Sequence, residues 1–133
     1  MGADFTINRS QADWSKEIYR LTGKRGIDVI VDNVGKATLS KSMMAACRGG
    51  RIVIVGNTSG YDTEIDIRYI FGKQISIIGS TMGTHHDFRR ITGLLWGGQL
   101  KPVIDRLMPL SQGHEAYALM ERGTLLGKIV LIP

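Results

Sequence analysis

Apolar positions along the chain fall into two kinds of run, and the kinds alternate. Ile27-Asp28-Val29-Ile30-Val31-Asp32 and Arg51-Ile52-Val53-Ile54-Val55-Gly56 are short, continuous and rich in Val and Ile, as strands buried on both faces of a parallel sheet are. Between them Leu39, Met43, Ala46 and Cys47 recur at one face of a helix, and Gly49-Gly50 stands where that helix would end. Ile27 to Asn57 therefore predicts one right-handed βαβ unit. Each strand leads into a small-residue turn, Asn33-Val34-Gly35 and Gly56-Asn57-Thr58. Ligands of open α/β sheets sit beyond the carboxyl ends of the strands, which is where these turns lie.

The same pattern extends both ways. Phe5-Thr6-Ile7-Asn8 predicts a strand, followed by a helix capped by Ser10 with Asp13 at the capping-box position. Trp14, Ile18 and Leu21 mark its buried face and Gly23 its end. After a polar loop at 58–62, a short helix turns Ile67, Ile70 and Phe71 inward and closes at Gly72. Gln74 to Ser80 predicts a third strong strand. Thr84 caps a helix with Asp87 at the box position; Phe88, Ile91 and Leu95 give its inner face, and Gly97-Gly98 stops it. From Leu100 the composition changes. Pro102 to Pro109 is extended, Ser111 caps a last helix carrying Ala116, Leu119 and Met120, and Lys128 to Ile132 is a final strand. The fold class is α/β with a parallel sheet.

Composition bounds the function. The 133 residues suit one domain with a real core. Hydrophobic content of 43% and charged content of 22% describe a soluble globular protein. No apolar run approaches the ~20 residues of a membrane helix, and no secretory signal is visible. A cytoplasmic setting is expected. The net charge is +5, but the basic residues are scattered, with no run longer than Lys24-Arg25 or Arg89-Arg90. That argues for a basic surface suited to an anionic cofactor and against a nucleic-acid binder, which concentrates charge on one face.

Candidate chemistry thins out on inspection. Cys47 is the one cysteine; it excludes an internal disulfide and reads as a small core residue. His85 and His86 diverge on a helix and, with His114 distant in sequence, offer no metal site. Gly123 to Lys128 resembles a phosphate loop but is one residue short, lacks the following Ser or Thr, and runs into a strand. Met1 to Thr6 fits a myristoylation pattern and equally the start of a strand, the better account. Asp32 ends a buried strand, where a carboxylate either serves catalysis or, more commonly, bonds turn amides. Neither Gly-x-Gly-x-x-Gly nor Gly-x-Ser-x-Gly occurs.

An ordered run of short motifs carries a resemblance. Gly2-Ala3-Asp4, Ile7-Asn8, Leu21-Thr22-Gly23, Arg25-Gly26-Ile27-Asp28-Val29, Val31-Asp32-Asn33-Val34-Gly35, Gly49-Gly50-Arg51-Ile52-Val53, Ile78-Gly79-Ser80, Lys101-Pro102-Val103-Ile104 and Gly127 to Leu131 follow at familiar spacings. Together they resemble the C-terminal part of the medium-chain dehydrogenase/reductase superfamily, in particular its zinc-type alcohol dehydrogenases and quinone oxidoreductases. The resemblance implies a partial Rossmann-type, doubly wound sheet holding strands three to six of an order 3-2-1-4-5-6. Residues 1–100 would form the partial dinucleotide-binding domain and 101–133 a tail returning to a catalytic domain. The first two strands and the glycine fingerprint would precede Met1, leaving unpaired edges on strands otherwise buried.

Site residues are implied by matching positions. Asn33, Val34 and Gly35 correspond to the turn at the adenosine half of an NAD or NADP cofactor, and Val55, Gly56 and Asn57 to the turn beneath the nicotinamide. Ser80, Thr81 and Met82 match the segment that holds the carboxamide, and Lys128 a basic position near the pyrophosphate. Arg9 departs from the aromatic residue common there; it could stack on adenine, meet a 2′-phosphate or stay solvated. Zinc ligands and proton-relaying residues would lie before this chain, so no catalytic residue and no metal ligand is expected within it. The implied function is the cofactor-binding portion of an oxidoreductase passing hydride between nicotinamide and an alcohol/carbonyl or quinone/enone substrate, inactive alone and binding NAD or NADP weakly or not at all by itself. A homodimer through the edge strand Gln74–Ser80 is implied, and the alternative is a non-catalytic chain acting only as a dimerisation module. No nucleic-acid or membrane partner is expected.

Overall fold

The computed structural model describes residues 2–133. It divides into two compact units, Met1–Met82 and Gly83–Pro133. In the first, α1 (Trp14–Leu21) precedes β1 (Ile27–Asp32), α2 (Leu39–Ala45), β2 (Ala46–Ile54), α3 (Ile67–Lys73) and β3 (Ser76–Gly79). The strands form one parallel sheet in the order β1-β2-β3, as the alternation of strand and helix requires.

The register explains which residues are buried. Ile30 stands beside Ile52, and Ile52 beside Ile77, so one row of large aliphatics crosses the sheet. Leu39 and Met43 of α2, with Ala46 and Ile75, close over that row, and Ile65, Tyr69 and Ile70 pack at its margin. Met43 and Ile52 are fully buried, each stabilising the fold by about 1.5–3 kcal/mol. On the other face Val31, Val53 and Ile78 form the next row, and Val31 and Ile78 are exposed.

Several elements differ from the sequence expectation, each for a local reason. Phe5–Asn8 forms no strand, because a strand needs a neighbour to receive its hydrogen bonds and β1 is paired to β2 alone. Asp13, not Ser10, caps α1, accepting from the Ser15 amide at 3.2 Å and its hydroxyl at 2.7 Å. The second helix stops at Ala45 and the chain is already in β2 at Ala46, before the Gly-Gly pair. Cys47 is thus a buried strand residue. In α3 only Ile70 of the expected inner face packs on the core; Ile67 and Phe71 are exposed. Gln74, in the left-handed region at φ 56°, closes this helix instead of Gly72.

A lysine ties these elements together. Lys73, in the last turn of α3, donates from Nζ to the carbonyls of Met44 at 2.6 Å, Ala46 at 3.0 Å and Met43 at 3.3 Å, and to the Tyr19 hydroxyl at 2.9 Å. Tyr19 in turn donates to the Met44 carbonyl at 2.6 Å. The ammonium lies 5.3 Å from the Tyr69 ring centroid and 5.6 Å from that of Tyr19. Carbonyls at a helix C-terminus lack intrahelical donors and carry the negative end of its dipole. One cation therefore satisfies the end of α2 and anchors α1 and α3 to it.

The second unit contains α4 (His85–Trp96), β4 (Ile104–Pro109), a 3₁₀ turn at Leu110–Gln112, α5 (Gly113–Glu121) and β5 (Lys128–Ile132). β4 and β5 pair in parallel across the α5 crossover. Ser111 falls inside the 3₁₀ turn and caps nothing, and α5 begins at Gly113 without a side-chain cap. Phe88 and Ile91, expected to face inward, are exposed; α5 supplies the buried Ala116 of this unit. At Gly127, φ is +100° and a Cβ would stand 2.2 Å from the Val103 carbonyl oxygen, which accepts from the Lys128 amide at 3.0 Å. That close approach accounts for the Gly-Lys pair as a turn into a strand.

The capping box of α4 forms as the sequence predicts. Thr84 accepts from the Asp87 amide at 3.2 Å, and the Asp87 carboxylate accepts from the Thr84 amide at 2.9 Å and hydroxyl at 2.7 Å. Thr84→Ala is expected to destabilise α4 by about 1 kcal/mol, read as a loss of helical circular dichroism on heating with the first unit unchanged.

Candidate functional site

The loops at the carboxyl ends of β1, β2 and β3 make the candidate site. Asp32 ends β1 and is buried, 4% exposed. Its Oδ1 accepts from the Val34 and Gly35 amides, both at 3.0 Å, and from the Thr38 hydroxyl at 2.8 Å; Oδ2 accepts from the Ser42 hydroxyl at 2.9 Å. Burial alone would raise this carboxyl, but the Gly35 amide, the Thr38 hydroxyl, the Val34 amide and the Ser42 hydroxyl outweigh it and hold the pKa below the usual aspartate value. An ionised group with its lone pairs so engaged builds the turn and is unsuited to take up a proton. The turn-forming reading of Asp32 is the one the geometry supports.

The second turn closes onto the first. A Cβ at Gly56 would lie 3.1 Å from the Asn33 carbonyl, and one at Gly35 would lie 3.0 Å from the Asn57 Cα. Gly35 also has φ +82°, a conformation that costs other residues energy. Ser59 donates its amide (2.9 Å) and hydroxyl (2.6 Å) to the Val34 carbonyl and accepts from the Ala37 amide at 2.9 Å. Thr58 donates to the Asn33 carbonyl at 3.3 Å. The sheet carries the connection onward, with the Val55 amide bonded to Asp32 O and the Ser80 amide to Ile54 O, both at 2.9 Å.

The structure thus brings Asn33, Val34 and Gly35 against Gly56 and Asn57, with Val55 and Ser80 on the adjoining strand ends. Asn33, Val55, Asn57, Ser80, Thr81 and Met82 are exposed. Met82 has φ 51° with its side chain in solvent, a backbone state that non-glycine residues adopt at a cost and that clusters at functional sites. Lys128 stands exposed at the start of β5 in the second unit. Sequence reasoning missed Thr38, Ser42 and Ser59, which hold the turns; a Thr and a Ser following Asp32 at helical spacing were the available signal.

What can this arrangement hold? The surface is backbone, amide and hydroxyl groups, and Asp32 is consumed by its own turn. The exposed acid beside the first turn, Asp62, is paired to Lys36 at 2.9 Å, and the amide and hydroxyl surface that remains suits a dinucleotide. Among the described residues no three His, Cys, Asp or Glu side chains gather as a metal-ligand set. No helix among the described residues is long and apolar enough to cross a membrane.

Comparison with known proteins gives the decisive observation: the model of a family described as zinc-binding dehydrogenase matches residues 1–97. The chain belongs to the zinc-binding dehydrogenase family. It is 36% identical over 133 residues to an NAD-dependent alcohol dehydrogenase of Saccharolobus solfataricus, covering 99% of this chain and 38% of that protein. It is 31% identical over 138 residues to the quinone oxidoreductase of Homo sapiens, covering 98% of this chain and 41% of the relative. The crystal structure of an NAD-dependent alcohol dehydrogenase superposes with a TM-score of 0.88 at 39% identity, over 99% of this chain and 38% of the other. This zinc-binding dehydrogenase chain therefore corresponds to the C-terminal part of medium-chain dehydrogenase/reductase proteins, spanning about two-fifths of the length of those relatives. The zinc in the family's description has no ligand set among the described residues.

Proposed function

We propose that this chain is the cofactor-binding portion of an NAD(P)-dependent oxidoreductase acting on an alcohol/carbonyl or a quinone/enone. The observation that supports it is the shared platform at the carboxyl end of the β1-β2-β3 sheet, where the turns at Asn33–Gly35 and Val55–Asn57 lock together beside Ser80. A bound nicotinamide would supply the hydride. The chain's own part is to orient it: Asn33, Val34 and Gly35 toward the adenosine half, Val55, Gly56 and Asn57 beneath the nicotinamide, and Ser80, Thr81 and Met82 at the carboxamide. For Lys128, in the second unit, the place near the pyrophosphate rests on the resemblance alone. Substrate handling and proton relay belong to residues outside the 133, so the chain alone is inactive, and its setting is cytoplasmic.

Titrating the chain with NADH and NADPH and following nicotinamide fluorescence tests this reading. Weak but saturable binding, lowered a further threefold or more by Asn57→Asp, is expected, with no turnover of alcohol or quinone. Titrations indistinguishable from those with an unrelated basic protein would refute the cofactor role. A second reading rests on the unpaired outer edge of β3: a twin strand could extend the sheet there and join two copies. Sedimentation of the wild type against Ile77→Pro distinguishes a homodimer through Gln74–Ser80 from a monomer.

A further inference from the structure

Among the described residues, three that are not glycine have a positive φ: Lys24, Gln74 and Met82. Two of them close helices. Gln74 caps α3, and the Lys24 amide returns to the Tyr19 carbonyl at 2.6 Å just past the end of α1. A left-handed residue is ordinary in such places. Met82, at φ 51°, ends no helix. It follows β3 on the loop whose Ser80 amide is fixed to the Ile54 carbonyl at 2.9 Å, and its side chain is 97% exposed. A strained backbone that holds a side chain out in solvent adds nothing to the core, and strain of this kind points to function.

The group held out is a thioether, which hydrogen peroxide oxidises. Sulfur gives two electrons to the peroxide, a sulfur–oxygen bond forms as the oxygen–oxygen bond breaks, and the departing hydroxide takes the proton of the transferred oxygen and leaves as water. Access decides which methionine reacts. Met43 is fully buried, Met108 is 7% exposed and Met44 is half-buried. Met120 is 57% exposed, but it lies on α5 in the second unit.

We infer that Met82 is a peroxide-sensitive modification site whose sulfoxide lowers the affinity of the platform for a nicotinamide cofactor, resting on the reading that puts Ser80, Thr81 and Met82 at the carboxamide. A thioether is soft and apolar and lies well against the edge or face of a planar ring. Its sulfoxide is polar and chiral and holds water, so the same position no longer suits a flat ring beside it. The change is local, because no core residue packs on this side chain, and it is reversible, because reductases return the sulfoxide to the thioether.

The 133-residue chain is treated with hydrogen peroxide and desalted, and oxidised methionines are followed by peptide mass spectrometry. NADH is then titrated against treated and untreated chain by nicotinamide fluorescence. Met82 is expected to oxidise more than tenfold faster than Met43 and Met108. NADH affinity falls threefold or more in step with the Met82 sulfoxide, with the circular dichroism unchanged. Methionine sulfoxide reductases of both epimer specificities, supplied with a dithiol, restore it. In Met82→Leu, whatever its starting affinity, peroxide leaves NADH binding where it began, although Met120 and Cys47 are still present. Should that variant bind too weakly to read, restoration by the reductases decides. Oxidation of Met82 no faster than of Met43 and Met108, complete sulfoxide at Met82 with unchanged NADH affinity, a loss that accompanies unfolding, or an equal loss in Met82→Leu overturns the inference and leaves the cofactor reading standing. An untreated chain that binds no NADH overturns both, and it does so before peroxide is added.

Discussion

Asp32→Asn is expected to cost the first unit about 3 kcal/mol at neutral pH. The carboxylate accepts four donors from two amides and two hydroxyls. An asparagine oxygen can keep the Val34 and Gly35 amides, which share Oδ1, but its NH₂ then meets the Thr38 and Ser42 hydroxyls that donate to Oδ2, and a buried donor left without an acceptor costs about 1–3 kcal/mol. Because the folded-state pKa is lowered, folding releases protons around it. The stabilisation is complete above the unfolded aspartate value of about 3.9 and is lost as pH falls through the lower folded value. Urea unfolding followed by Trp14 fluorescence, in a Trp96→Phe background, should show a large gap between wild type and mutant at pH 7 that narrows toward pH 3. A gap that stays constant would mean that the carboxylate's charge is not what holds the turn.

Lys73→Met is expected to cost a similar amount, about 3 kcal/mol, by a different route. Methionine fills the volume of the stem but leaves the Met43, Met44 and Ala46 carbonyls without the ammonium. Tyr19 still donates to Met44, so one acceptor remains satisfied, and the penalty is that of the other two plus the lost charge–dipole attraction. Calorimetric unfolding of the mutant beside the wild type at pH 7 measures it. Lys73→Arg is a useful companion: its planar fork does not match carbonyls converging on one point, and it should restore less than half of the loss.

Much of this fold was legible from the pattern of apolar residues, and the exceptions have physical causes. Buried runs at Ile27–Asp32 and around Ile52–Ile54 identified parallel strands because both faces of such strands select for Val and Ile. The Thr84–Asp87 box was legible because its donors and acceptors are local. Phe5–Asn8 was misread because strand formation is decided by a neighbour, and pattern describes only the strand itself. The helix ending at Ala45 was misread because the apolar face of α2 continues without a break into β2, whose first residues, Ala46 and Cys47, are buried too. Lys73 carried no sequence signal, since its partners come from three separate elements. At the site, the turns were visible as small residues after strands; of the hydroxyls that fasten them, Thr38 and Ser42 left only their helical spacing as a signal, and Ser59 looks like an ordinary loop residue.

The interlocked glycine turns have one more consequence. Gly35 and Gly56 each sit where a side chain would strike the other turn's backbone, so the platform is built from main chain with few side-chain contributors. The fold of such a surface is nearly indifferent to substitution at its exposed positions and acutely sensitive to changes that prise the two loops apart. Diversity among descendants would accumulate in what the platform displays, while the shape of the platform stayed fixed. A library that varied Asn33 and Asn57 together, with the two glycines untouched, would therefore explore ligand preference without paying in foldedness.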